Sequence, residues 1–97
     1  MSEEHVIRVR LLVLAQMPHF VYIVQGSDDS FYTGYTNNLL KRVEMHNRKK
    51  GSKSLRGKLP VKLVHSEEYK TKSEALKREA EIKTFTHAKK LSLISRE

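Results

Sequence analysis

Five polar side chains in this 97-residue chain have the types and spacing that hydrolytic or phosphate chemistry needs: Tyr22, Tyr32, Arg42, His46 and Glu79. Glu79 stands out through its place in a helical pattern. Thr71-Lys72-Ser73-Glu74 reads as a capping box, and the run it opens advances by about 100° per residue. Viewed down that helix with Ala75 as reference, Ile82 falls just to one side and Leu76 and Ala80 to the other. Glu79 lies between them, inside the apolar arc. Glu74, Lys77, Arg78 and Glu81 lie on the opposite side, as solvated charges. An inward carboxylate is costly unless it is paired or bound to a metal. Periodicity alone favours a salt bridge at the edge of the core, with Arg42 as partner, over a metal ligand.

Tyr22 and Tyr32 share parity across a predicted hairpin, so any even-sum register puts them on one sheet face. A register centred on Ser27 makes them direct neighbours, with Gly34 leaving open space beside Tyr32. Two phenols beside a cavity can hydrogen-bond a water or a phosphate oxygen; taken alone, the pair reads as packing. Arg42 and His46, at i and i+4, share one helical stripe. With Leu39 as reference they lie to one side of it and Val43 and Leu40 to the other, so both polar residues border the apolar arc. Arginine suits bidentate phosphate recognition and histidine can relay or donate a proton, though either residue by itself reads as an exposed flank.

Charge points the same way. Lys and Arg number 19 against 11 acids, a net charge of +8. Arg48, Lys49, Lys50, Lys53, Arg56 and Lys58 carry six of those charges with no acid among them, leaving +2 for the remainder. Cations interleaved with Gly and Ser can follow a phosphate backbone and release counterions; a plain solvated loop is the alternative. The balance implies an anionic partner. A membrane surface is disfavoured, because no basic amphipathic helix carries aromatic anchors. The longest apolar run, Leu11 to Ala15, falls far short of the ~20 residues a span needs. Glu3 and Glu4 precede it without a cleavage pattern, so a signal peptide is disfavoured and a soluble, cytoplasmic protein is expected. Cysteine is absent, which excludes disulfides, thiol nucleophiles and Cys-based zinc sites. His5, His19, His46, His65 and His87 show no helical ligand spacing, and neither a phosphate-binding glycine loop nor a Ser-His-Asp pattern is evident.

The elements that must position these groups follow from punctuation and periodicity. Residues 1–16 read as an N-terminal extension outside the core, β-prone from Val6 to Leu14 and interrupted at Met17-Pro18. Residues 17–97 read as one domain. Phe20 to Val24 has the composition of a buried strand. Gly26 to Ser30 is turn chemistry and Phe31 to Thr36 a second strand, forming a hairpin. Thr36-Asn37-Asn38 supplies caps for a helix to about Asn47, and Arg48 to Lys58 reads as a basic loop. Val61 to Glu67 alternates as a third strand. Helices from Thr71 to about Thr84 and from Ala88 to Ile94, the latter capped by Thr86, complete the chain. The fold class is α/β of the α+β type: a small three-stranded antiparallel sheet flanked by helices, in the order β-β-α-β-α-α.

On these elements the polar residues resemble a known signature. Phe20-Val21-Tyr22 and Tyr32-Thr33-Gly34 resemble the two halves of the GIY-YIG nuclease motif, with Phe and Val replacing Gly and Ile in the first. Arg42 resembles that family's helical arginine, His46 stands where it carries His or Tyr, and Glu79 within Ala75-Leu76-Lys77-Arg78-Glu79-Ala80-Glu81-Ile82-Lys83 resembles its metal-binding glutamate. The resemblance runs from about His19 to Ile94 and is greatest to the small stand-alone bacterial YhbQ-like group. It implies phosphodiester hydrolysis in nucleic acid, DNA before RNA, with one Mg²⁺ or Mn²⁺ held by Glu79. Arg42 would stabilise developing charge, Tyr32 (or in its place Tyr22) would act as base, and His46 would accept or relay the proton. Gly34, Tyr35 and the six basic-segment cations would contact nucleic acid, and a further protein partner is left open. Glu79 is the one carboxylate that periodicity turns inward, so a single ion completed by water and phosphate is expected over a two-metal site. Tyr35 stands where some relatives carry Lys or His, and the late asparagine of repair and homing enzymes has no counterpart. The competing expectation is a non-catalytic, basic nucleic-acid-binding module.

Overall fold

The structure, a computed structural model, describes residues 17–96; the expected extension, residues 1–16, lies outside the described residues. Three strands form one antiparallel sheet in the order β2-β1-β3, with β1 His19–Gln25, β2 Phe31–Thr36 and β3 Lys62–Tyr69. The β-branched and aromatic run of β1 takes the central position, and Val21, Tyr22, Ile23 and Val24 are all fully buried. Such a strand must be covered on both faces. Val21 and Ile23 meet one helical layer; Tyr22 and Val24 meet another.

The hairpin register differs from the expected one. Tyr22 pairs with Gly34 and Val24 with Tyr32, so the hairpin is centred on residue 28 rather than Ser27. The turn decides this. The Gly26 amide donates to Ser30 O at 2.8 Å, Asp29 takes a left-handed φ of 66°, and the Asp28 carboxylate accepts from the Ser30 amide and hydroxyl. Parity survives the shift, so the two tyrosines keep one face but become diagonal neighbours.

Helix α1 (Leu39–Asn47) is capped by Asn38, whose side chain accepts from the Lys41 amide; it lies over the Tyr22 face through Leu39 and Val43. The segment expected to be a basic loop contains a 3-10 helix, Lys53–Lys58, whose Leu55 is buried among Tyr22, Val24 and Val61. One apolar residue among the cations thus anchors the segment on the same sheet face. Its two ends are joined by Asn47, whose side-chain amide donates to Val61 O at 3.1 Å and whose carbonyl accepts from the Val61 amide at 2.7 Å. Asn47→Ala is expected to cost about 1–3 kcal/mol and to expose the Val61 amide in hydrogen exchange. Unchanged protection of that amide would show that the clamp does not close the segment.

Helices α2 (Lys72–Lys83) and α3 (His87–Ile94) cover the opposite face, and Thr71 and Thr86 cap them as the sequence suggests. The inward face of α2 is rotated from the expected one. Leu76 and Ala80 are exposed, whereas Ala75 and Ile82 are buried and Arg78 and Glu79 half-buried. Those four residues form an i, i+3, i+4, i+7 stripe. Arg78, expected in solvent, turns inward because Glu67 on β3 accepts from its Nε at 2.8 Å and its Nη2 at 3.1 Å. Its aliphatic stem can cover apolar surface while the head is paired. The observed class is otherwise the expected one: an α+β fold with a three-stranded antiparallel sheet and flanking helices.

Candidate active site

On the sheet face beneath α1, the hydroxyl of Tyr22 is a point of convergence. Arg42 donates to it from Nε at 3.3 Å, and His46 Nε2 lies 2.8 Å away. Tyr32 sits diagonally, its ring centroid 6.4 Å from that of Tyr22 and 5.5 Å from that of His46, edge-on to the imidazole. Gly34 permits this arrangement. It pairs with Tyr22 across the strands, and a Cβ there would run into the Tyr22 phenol. The glycine is therefore filled by the tyrosine ring rather than leaving a hollow beside Tyr32.

The electrostatics are coupled. Burial raises the Tyr22 phenol above its ordinary value; Arg42 opposes this, while Tyr32 and Glu79 reinforce it. Arg42 is raised, chiefly by its hydrogen bond to Tyr22 and further by Tyr32, and burial opposes the change. Burial, then the charge of Arg42, lowers His46, so its ring is neutral at pH 7.

Glu79 approaches from the other layer. Its side chain is 19% exposed, and Lys83 Nζ lies 3.7 Å from Oε2. The expected partner, Arg42, is instead turned to Tyr22. Glu79 nevertheless acts electrostatically on that phenol. Among the described residues, no cluster of three or more His, Cys, Asp or Glu side chains could hold a metal ion. Glu79 is a half-buried carboxylate of the kind a largely hydrated Mg²⁺ takes singly or in pairs.

The basic residues divide. Lys49, Lys50, Lys53 and Arg56 are exposed, whereas Arg48 pairs with Glu44 at 2.7 Å and Lys58 approaches Asp28 at 4.0 Å. Tyr35 does not join the site. Its parity places it on the α2 face, where its hydroxyl lies 2.6 Å from His19 Nδ1. Three residues that sequence reasoning passed over support the site: Asn47, Gly51 and Ser52. The Ser52 amide donates to His46 Nδ1 at 3.2 Å, and a Cβ on Gly51 would collide with the His46 ring. A glycine early in the cationic run was the available signal, since glycine marks close backbone approach. No described helix is long and apolar enough to cross a membrane.

Comparison with known proteins identifies the family. Residues 18–92 match the GIY-YIG catalytic domain, and the chain belongs to that family, a nuclease superfamily. It is 60% identical over 76 residues to a UPF0213 protein of Staphylococcus aureus (strain Mu3 / ATCC 700698), covering 78% of this chain and 93% of the relative. The solution NMR structure of UPF0213 protein BH0048 from Bacillus halodurans is similar, with TM-score 0.55 and 40% identity over 84% of this chain and 86% of the other. Protein EF2693 from E. faecalis gives TM-score 0.57 and 36% identity, covering 81% and 84%.

Proposed function

We propose that this protein is a metal-dependent endonuclease that hydrolyses phosphodiester bonds in nucleic acid, DNA before RNA. The observation that carries the reading is the approach of a guanidinium and an imidazole to one buried phenol, with a second phenol beside it. Hydrolysis needs a group to take a proton from water and positive charge where the phosphate becomes more negative. Tyr32 is half-buried, whereas Tyr22 is fully buried with its oxygen engaged by Arg42 and His46. Tyr32 therefore serves as the proton acceptor and Tyr22 as the anchor that aims Arg42. The guanidinium lies beside both phenols, where it can meet phosphate oxygens. Glu79 would hold one Mg²⁺ or Mn²⁺, which supplies Lewis-acid stabilisation of phosphoryl charge when bound. The exposed Lys49, Lys50, Lys53 and Arg56 track the strand by counterion release.

The test is incubation of purified protein with end-labelled DNA and RNA, with Mg²⁺ or Mn²⁺, beside Glu79→Ala. Metal-dependent cleavage lost in the variant is the expected result. Salt-sensitive binding without turnover under either metal would overturn it and leave a nucleic-acid-binding module.

A further inference from the structure

We propose that Gly51 and Ser52 are positioning residues for His46: the Ser52 amide fixes the ring as its Nε2–H tautomer, so that His46 donates to Tyr22 instead of accepting its proton. The Ser52 N–H points at Nδ1 from 3.2 Å, and a backbone amide can only donate. A hydrogen on Nδ1 would meet it head-on, so Nδ1 is the bare nitrogen. The neutral ring then carries its one hydrogen on Nε2, which faces Tyr22 Oη at 2.8 Å.

The phenol oxygen thus receives two hydrogen bonds, from His46 Nε2–H and from Arg42 Nε–H at 3.3 Å. Both lone pairs are used, and the Tyr22 O–H is directed away from both donors. His46 holds Tyr22 in place; it does not relay its proton.

Gly51 makes the approach feasible, because any Cβ there would overlap the imidazole. Ser52, at φ −63°, also starts the 3-10 helix, its hydroxyl accepting from the Ser54 amide. One short turn therefore joins the cationic segment to the buried ring, which is itself only 1% exposed. This assignment concerns the His46 ring itself; its catalytic meaning rests on the nuclease reading above.

The experiment is long-range ¹H–¹⁵N correlation of the histidine rings in the full chain at neutral pH, with cleavage kinetics on the same samples. His46 is expected to show a protonated Nε2 and a bare Nδ1; a protonated Nδ1 overturns the proposal. Ser52→Ala keeps the amide and is expected to keep that tautomer. Gly51→Ala is expected to disturb the ring signals and lower kcat roughly a hundredfold with little change in KM. Unaltered ring signals and kcat in Gly51→Ala would overturn the positioning role, and if that variant fails to fold, the wild-type tautomer still decides. A Nε2–H ring in a protein that cleaves nothing upholds this inference and sinks the nuclease reading. An active enzyme with a protonated Nδ1 does the reverse.

Discussion

Arg42→Ala is expected to slow phosphodiester cleavage by roughly two to three orders of magnitude, while affinity for the uncleaved strand falls only a few-fold. The asymmetry follows from where the cations stand. Lys49, Lys50, Lys53 and Arg56 are exposed; in the proposed reading they would meet the backbone of bound and reacting strand alike and contribute binding that is uniform along the reaction. Arg42 is half-buried, is held by the Tyr22 hydroxyl, and lies beside both phenols. Its charge is worth most where water is excluded and phosphate charge grows. Arg42→Lys is expected to rescue little, since an ammonium lacks the planar fork that serves the phenol and a phosphate together. Single-turnover cleavage and a salt titration of binding, measured on the same samples, check both halves. A wild-type cleavage constant in Arg42→Ala would end the case for this site. Chelating the divalent ion is expected to add little to the defect of Glu79→Ala, because groups that act as a unit lose activity non-additively.

The largest stability effect is expected on the other side of the sheet, at Glu67. This carboxylate accepts from Arg78 Nε at 2.8 Å and Nη2 at 3.1 Å, from the Tyr69 hydroxyl at 2.6 Å and from His65 Nε2 at 2.8 Å. Burial alone would raise its carboxyl, but the bonds from Arg78, Tyr69 and His65 outweigh that and hold it at about 2. Tyr69 is pushed up to about 12 by burial and by the same carboxylate. Glu67→Ala would leave the half-buried Arg78 with Glu81 as its remaining carboxylate and two further donors without theirs, costing about 3 kcal/mol; a thermal melt should fall by roughly 12 °C or more.

The pH dependence follows from the depressed carboxyl. A group whose folded pKa lies below its unfolded value stabilises the fold above the unfolded value and loses that contribution as pH falls. Here the window runs from the ordinary value of 4.5 down to about 2, and the loss across it is about 3 kcal/mol. Acid titration of stability should show that loss in the wild type and not in Glu67→Gln. Matching acid profiles would refute the network's role.

Glu67 is also held by a contact that no local pattern encodes. Its partner Arg78 is eleven positions away in another element, and no periodicity in either segment announces the pair. The helical wheel therefore assigned Arg78 to solvent and Leu76 and Ala80 to the core, whereas the pairing turned α2 the other way. Glu79 fell within the inward stripe under both orientations, which is why its half-burial was legible and its partner, Lys83 instead of Arg42, was not. Likewise, parity placed Tyr22 and Tyr32 on one face whatever the even-sum register. The Asp28 and Asp29 turn chose the register itself, setting Gly34 opposite Tyr22.

Order and type of elements, helix caps at Asn38, Thr71 and Thr86, and the concentration of charge from Arg48 to Lys58 were all determined by the sequence itself. These depend on neighbours within a few positions, where period, cap chemistry and composition act directly. Tertiary structure alone decided that Leu55 pins the basic segment over Tyr22. It also decided that Arg42 meets Tyr22 and that Arg78 meets Glu67. Such contacts join residues whose proximity arises only when the chain closes on its core, so no local pattern encodes them.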